Sequence, residues 1–365
     1  MQVYIVTTCS IRGCVGSLLR FIRCVCFVFI GCFALVNVRF VDRVDELRSL
    51  RELALRGSHI PIYLYGPEGC GKTRLLREFI GRFGDINAIY IDALEERDVG
   101  RAVMGTGFGD LIKISLELLE GLGAYSGIGG VIARNIALLI SKLASRTILK
   151  GKGLVVFIDD AVRSRAIGLE GCEYYIKYLQ NLIDKLIDEL GLKSVTMVVT
   201  TSEGESLDLI SRHTYATPIL LWNLPYEGFI ELIEQLSPPS AGVVDELWYL
   251  TSGNPRSLLE VAEVYRWDIN LWIKSLEAKL LPITTKIGRD RLVRVTEDID
   301  TLIYEHEVRK ELIRHNLVTY IAYPTITLKK LKENRELGIG KYYAWQIPAY
   351  RQVIQKLIKS FNSII

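Results

Sequence analysis

Short apolar runs alternate with amphipathic stretches along much of this chain. Val44–Leu55 (VDELRSLRELAL) places its leucines at helical intervals. His59–Tyr65 (HIPIYLY) is an apolar run suited to a buried strand, and a glycine-rich loop follows it. Thr73–Phe83 then predicts a helix, and Asn87–Ile91 a second strand with Asp92 at its end. Arg97–Ala144 has helical character but is interrupted by Gly100, Gly105, Gly107, Gly109 and the cluster Gly127, Gly129 and Gly130. These glycines mark either a mobile loop or a set of helix ends, and helix ends are the simpler reading. Leu154–Ile158 (LVVFI) is a third strand, running into Asp159 and Asp160. Glu173–Leu190 is strongly amphipathic, with Ile176, Leu179, Leu182, Ile183, Leu186, Ile187 and Leu190 on one face. Ser194–Thr200 and Thr217–Trp222 predict the fourth and fifth strands. Strands that alternate with helices argue for a parallel sheet covered on both faces.

The pattern changes after Leu224. Glu227–Leu236, Ala241–Leu250 and Pro255–Tyr265 predict helices joined by short connections, as in a helical lid. A third region is expected from about Leu281, with helices over Val295–Tyr304 and Val308–His315. A strand-like stretch (Tyr342–Ile347) and a last helix (Tyr350–Phe361) close it. The expected organisation is therefore an extension (1–38), an α/β core (39–224), a lid (225–280) and a C-terminal domain (281–365).

Composition adds little to this division except at the two ends. Among 365 residues the formal net charge is +3, too mild to name a partner. From Leu281 to Ile365 there are 15 Lys or Arg against 9 Asp or Glu, so the basic excess sits at the C-terminal end. Residues 1–38 contain no Asp or Glu, and Cys24–Val38 is a 15-residue uncharged run flanked by arginines. A membrane-spanning helix needs ~20 apolar residues. Three readings stay open: a membrane anchor, a buried or disordered extension, or an untranslated segment ahead of a start near Val36 or Val38. The abrupt change at Arg39 favours the last. Five of the seven cysteines fall in this segment, leaving Cys70 and Cys172 in the body. No CxxC pair occurs, and the four histidines show no metal-ligand spacing, so zinc and disulfide readings are weak. A reduced, cytoplasmic protein is expected, with membrane association only through residues 1–38.

The candidate chemistry begins with GPEGCGKT, comprising Gly66, Pro67, Glu68, Gly69, Cys70, Gly71, Lys72 and Thr73. It fits GxxxxGK[ST], the P-loop or Walker A pattern, between a predicted strand and a predicted helix. Glycines let the backbone wrap phosphates with its N–H groups, and the helix start adds partial positive charge. Lys72 is expected on the β- and γ-phosphates of ATP and Thr73 on Mg²⁺. LVVFIDD is a Walker B arrangement: a buried strand delivers Asp159 toward Mg²⁺, and Asp160 either polarises the attacking water or caps the next helix. Asp is one methylene shorter than the Glu of many related ATPases, so slow turnover is expected. At the end of the next strand, Thr200 and Thr201 are candidates to sense the γ-phosphate, with Thr201 preferred. A strand inserted between the P-loop and Walker B strands would mark the ASCE division of P-loop NTPases, but strand order is not readable from sequence.

Leu250–Glu260 (LTSGNPRSLLE) breaks the chain and starts a helix with Arg256 in its first turn. With this element, Phe40 to about Tyr265 resembles the archaeal ATPase family, related to AAA+ and STAND-like NTPases. FVDRVDELRSL is similar to its opening box, GPEGCGKTRLL to its Walker A, GLVVFIDD to its Walker B, and GNPRSLLE to its lid element. The resemblance implies that Phe40, Val41 and Arg43 lie near the adenine or ribose and that Pro255 or Arg256 senses nucleotide from the lid. Arg212 would be an arginine finger toward a neighbouring subunit or, more simply, half of an exposed salt bridge. Members commonly carry a C-terminal winged helix, with which VRKELIRHNLVTYI and YYAWQIPAYRQVI are compatible. Its basic loop would offer Lys329, Lys330, Lys332, Arg335 and Lys341 to DNA phosphates, though winged helices also bind proteins. The expected function is a slow, Mg²⁺-dependent ATPase switch that repositions a DNA- or protein-binding domain, with self-association open. The alternative is a scaffold in which nucleotide is structural.

Overall fold

The computed structural model describes residues 38–146, 149–201 and 204–360. The readings placed on residues 1–37 therefore lie outside the described residues. The described chain opens with α1 (Val44–Arg56), β1 (Ile62–Tyr65), α2 (Lys72–Arg82) and β2 (Ala88–Asp92). Then come α3 (Val99–Ala102), β3 (Val103–Thr106), α4 (Leu111–Gly121), α5 (Ile128–Arg134), α6 (Ile136–Arg146) and β4 (Gly153–Asp159). The core ends with α7 (Gly168–Leu190), β5 (Ser194–Thr200), α8 (Gly204–Ser211) and β6 (Thr217–Leu220).

These strands form one sheet in the order β3-β2-β4-β5-β1-β6, parallel except for β3. β5 lies between β1 and β4, which is the order that marks the ASCE division. The two faces follow from the period-2 alternation of strand side chains. Ile89, Ile91, Val156, Ile158, Met197 and Val199 point to one side, into a core closed by α4, α5, α6 and α7. Leu64, Tyr90, Val155, Phe157 and Val198 point to the other, against Leu47 and Leu50 of α1 and Leu75, Leu76 and Phe79 of α2. Burial on both faces explains why the strands read as continuous apolar runs. Each fully buried Leu or Phe there contributes about 1.5–3 kcal/mol.

β3 is a departure from expectation, since Arg97–Ala144 reads as helices broken by glycines, with no strand among them. The segment VMGT is too short for periodicity to separate strand from helix, and its pairing with β2 decides the outcome. The glycine cluster does mark a helix start. Gly127 caps α5, and a Cβ at Gly129 would lie 1.9 Å from the Asp92 carbonyl oxygen, so only glycine lets α5 press onto the end of β2.

The helical half comprises α9 (Tyr226–Gln235), α10 (Ala241–Thr251), α11 (Pro255–Leu259), α12 (Ile269–Ile287), α13 (Arg289–Glu297) and α14 (His306–Arg314). β7 (Val318–Tyr320), β8 (Tyr343–Trp345) and α15 (Pro348–Ser360) complete it. α11 widens into a π-helix over Glu260–Val264 rather than continuing regularly to Tyr265. The helix expected over Val295–Tyr304 is broken at Asp298, whose carboxylate caps a separate 3-10 turn, Ile299–Ile303. Position 281, the expected start of a third region, falls inside the 19-residue helix α12. One hydrophobic core runs from Phe229 and Leu247 through Trp272 and Leu280 to Trp345 and Ile354. β7 and β8 pair antiparallel. The segment after β7 adds to the edge of the main sheet: Leu220 N–H donates to Pro324 O at 2.9 Å, and Ile326 N–H to Leu220 O at 3.0 Å. Among the described residues no single helix is long and apolar enough to cross a membrane.

Candidate functional site

The loop between β1 and α2 is bent by three glycines with positive φ: Gly66 (154°), Gly69 (80°) and Gly71 (104°). A Cβ at Gly66 would lie 1.8 Å from Leu221 O, so the loop threads against the strand end at β6. Cys70 is buried, its N–H donating to Pro67 O at 3.1 Å and its Sγ to Leu221 O at 3.4 Å. Gly71 is the N-cap of α2, and a Cβ there would meet nothing within 4 Å, so the concave side of the loop is open at the helix start. That start carries partial positive charge and unpaired N–H groups. The Lys72 ammonium lies over the loop, donating to Gly66 O at 2.7 Å and Pro67 O at 3.2 Å.

The acids come from the end of β4, Asp159 as its last residue and Asp160 as the next. Asp159 is buried, with one carboxylate oxygen accepting from Thr200 Oγ1 and the other from Tyr90 Oη at 2.7 Å. Thr200 Oγ1 also accepts from the Asp160 N–H at 2.8 Å, so one hydroxyl orients both acids. Arg77 bonds Tyr90 Oη at 3.1 Å and Asp92 at 2.9 Å, which extends the network to the end of β2. Asp160 adopts φ 51°, which turns the chain at the sheet edge, and its side chain makes no capping bond to the turn that follows. Burial, and then the charge of Asp159, raise the Asp160 carboxyl above the ordinary Asp value, against Arg163 and Lys72, which lower it. Asp92 is raised by burial first as well.

The helical half closes over the same loop. Asn254 caps α11 by accepting from Ser257 N–H at 3.1 Å, and its amide donates to Glu68 O at 3.0 Å and Asn223 Oδ1 at 2.8 Å. Asn223 in turn donates to Gln346 O at 2.9 Å, and Gln346 Oε1 accepts the Glu68 N–H at 2.9 Å. Arg256 Nη1 pairs with the Glu68 carboxylate at 2.6 Å, and Asn316 Nδ2 reaches it at 3.3 Å. The Arg256 N–H donates to Gly69 O at 3.3 Å, and a Cβ at Gly69 would meet Arg256 Cβ at 2.3 Å. A cavity of about 540 Å³ remains, lined by Gly71, Lys72, Thr73, Asp160, Arg163 and Arg256 among others. Its charged lining comprises five cations (Lys72, Arg74, Arg77, Arg163, Arg256) and three acids (Glu68, Glu78, Asp160), a balance suited to a multiply charged anion.

The structure thus brings Lys72, Thr73, Asp160 and Arg256 to one cavity, with Asp159 behind Asp160. Arg43 is elsewhere. It is buried beneath the loop, donating to Cys70 O at 2.9 Å, Trp222 O at 2.6 Å and Glu46 at 2.9 Å, and it lines a separate, largely apolar cavity. Its guanidinium braces the P-loop from below. Of the threonine pair, Thr200 faces Asp159, while the Thr201 hydroxyl pairs with Ser206 of α8. Arg212 is exposed and makes no ion pair among the described residues. Tyr90, Arg77 and Arg163 escape the sequence reading. Tyr90 sits in an apolar strand like any core residue, and Arg77 resembles any helical arginine, although its position four residues after Thr73 puts it on the same helix face.

The sequence of residues 40–261 matches the model of an ATPase domain predominantly from Archaea. No curated protein matches the chain in sequence. Among solved structures, the ORC2 protein of Aeropyrum pernix, in ADPNP and ADP complexes, is 11% identical over 88% of this chain and 95% of its own, with a TM-score of 0.38. AMPPCP-bound DnaA from Aquifex aeolicus is 12% identical over 89% and 90%, with a TM-score of 0.39. A single-site variant of Thermotoga maritima RuvB is 15% identical over 80% and 91%, with a TM-score of 0.37. The family match covers more than half of the chain and includes the glycine loop, both β4 acids and Arg256, and by it the chain belongs to the family of ATPase domains found predominantly in Archaea.

Proposed function

We propose that this protein is a slow, Mg²⁺-dependent ATPase whose nucleotide state is passed to its C-terminal region. The observation that carries this reading is the convergence on one cavity of Lys72 and Thr73 from the loop, Asp160 from β4 and Arg256 from the lid. In this reading GPEGCGKT acts as Walker A and the β4 end as Walker B. The open cradle at Gly71 fits phosphate, and Lys72 exchanges its carbonyl partners Gly66 and Pro67 for β- and γ-phosphate oxygens. The Thr73 hydroxyl and Asp159, the latter through water, supply hard oxygen donors of the kind Mg²⁺ takes together with phosphates. Bound there, Mg²⁺ would neutralise charge developing on the phosphates. Asp160, with its raised carboxyl, is placed to accept a proton from the attacking water, while Thr200 holds its backbone.

The C-terminal half is read as a winged helix built from α13, α14, α15 and the β7–β8 pair. Lys329, Lys330 and Lys332 are exposed on the loop between β7 and β8, whereas Arg335 is paired with Asp298 and Lys341 stacks on Tyr342. The three exposed lysines form the surface offered to DNA phosphates.

Titration of the full chain with a fluorescent ATP analogue tests the central claim. The wild type should bind, and Lys72→Ala should lose most of the affinity. Equal binding by both would remove the loop from the nucleotide site. A salt titration with duplex DNA, with and without ATP, tests the partner. No binding at low salt would leave a protein partner as the reading.

A further inference from the structure

Glu68 is the third residue of the glycine loop, and it is the point at which three parts of the molecule meet. Its carboxylate accepts from Arg256 of α11 at 2.6 Å and from Asn316, just beyond α14, at 3.3 Å. Its carbonyl accepts from Asn254 at 3.0 Å, and its N–H donates to Gln346 at 2.9 Å. Asn223, Asn254 and Gln346 are all buried, so the Glu68 backbone is held by partners fixed in place. Gln346 Nε2 is itself buried without a partner, so Oε1, which accepts from the Glu68 N–H, is the bonded end of this amide. Burial works against the charged form of Glu68, but the Arg256 charge and bond, the Asn316 bond and the Arg163 charge outweigh it and hold the carboxyl below its ordinary value. Glu68 is therefore an anion within the cavity, and Arg256 and Arg163, whose charges act on it, also line it.

Resting on the nucleotide-site reading above, we infer that the Glu68 carboxylate is an internal competitor for the polyphosphate. It occupies Arg256 and Asn316, and a nucleotide displaces it from Arg256. A triphosphate carries more charge than one carboxylate and so wins the guanidinium, and the freed Glu68 loses its grip on Asn316. Loss of that bond leaves Gln346, just beyond β8, as the hydrogen-bond partner of Glu68 from the C-terminal region. Glu68 in this way makes nucleotide binding and release of the C-terminal region a single exchange of partners. Both side chains of the pair are partly exposed (Arg256 63%, Glu68 43%), so the competition is screened and modest in size.

The test is a double-mutant cycle on the full chain, with ATP and ADP affinities measured by calorimetry for wild type, Glu68→Gln, Arg256→Gln and the double variant. Glu68→Gln should tighten ATP binding about fivefold in the wild-type background and by less than about twofold when Arg256 is already replaced. An equal gain in both backgrounds would mean that Glu68 merely repels phosphate, and no gain would mean that it does not compete; either result overturns the inference. Hydrogen exchange gives a second readout that does not depend on hydrolysis. The amides of Tyr343–Ile347 should exchange faster in nucleotide-free Glu68→Gln than in nucleotide-free wild type, as in ATP-bound wild type. Unchanged exchange in both would also overturn it. Failure of the wild type to bind ATP at all is a different result, and sinks the functional reading instead.

Discussion

On the sheet side of the cavity, Lys72, Thr73, Asp159 and Asp160 come from two short segments, each at the C-terminal end of a parallel strand. On the helical side, Asn254, Arg256, Asn316 and Gln346 reach one loop residue, Glu68, across 186, 188, 248 and 278 positions of chain. The sheet side is local chemistry: a strand end, a glycine turn and a helix start compel the geometry within a dozen residues. The helical side is long-range and exists only once two cores have packed. In the proposed reading, binding belongs to the sheet side and control to the helical side. A motif can bind phosphate wherever it folds, but its coupling to the rest of the chain has to be made by tertiary contacts.

The comparison breaks most sharply at Gly66. Gly66→Ala puts a Cβ against the Leu221 carbonyl at a backbone angle that L-residues avoid, and should cost about 3 kcal/mol of stability or more. Urea unfolding followed by circular dichroism would show it, and an unchanged midpoint would mean that the loop is not pressed onto β6. Next in size is Lys72→Ala, which should weaken ATP binding by about 2–3 kcal/mol, roughly 30- to 150-fold, with little change in the unfolding midpoint. Asn254→Ala sharpens the other side. It removes the α11 cap and two further bonds, one of them buried, and should destabilise by about 2 kcal/mol while leaving the glycine loop's own turns intact. A larger effect on nucleotide affinity than on stability would contradict the division drawn here. Tyr90→Phe removes the hydroxyl that donates to Asp159 and should cost about 1 kcal/mol.

The smallest effect concerns pH. The Asp160 carboxyl lies above its unfolded value, so the folded state binds more protons than the unfolded one as pH passes from the ordinary Asp range up to the raised value. Stability falls across that window as pH rises, because the folded state resists ionising this group. Asp160→Asn should therefore raise the unfolding midpoint slightly at neutral pH and flatten its dependence in the acid range. An Asp160→Asn protein less stable at neutral pH would show instead that the carboxylate is well accommodated.

Legibility in the sequence followed the same divide. The five parallel strands and the glycine loop could be read because both sheet faces are buried, which leaves apolar runs ended by glycine or acid. β3 could not be, because four residues carry no period and its partner β2 is what makes it a strand. Arg43 is the instructive case among the site residues. Its place in the opening box suggested the nucleotide, but its guanidinium is consumed by Cys70 O, Trp222 O and Glu46 beneath the loop. Of the Thr200–Thr201 pair the sequence reading prefers Thr201, but it is Thr200 that faces Asp159, while Thr201 pairs with Ser206. Pairing of β5 between β1 and β4 turns Thr200 toward Asp159.

The sequence alone determined the α/β class, the glycine loop and the strand-end acids, since each depends on bonds and turns within a few residues. Only the tertiary structure decided that Tyr90 and Thr200 orient Asp159, that Arg43 braces the loop, and that Glu68 joins lid and C-terminal region to it. Those contacts are hydrogen bonds between residues far apart in the chain, and nothing local in either partner announces the other.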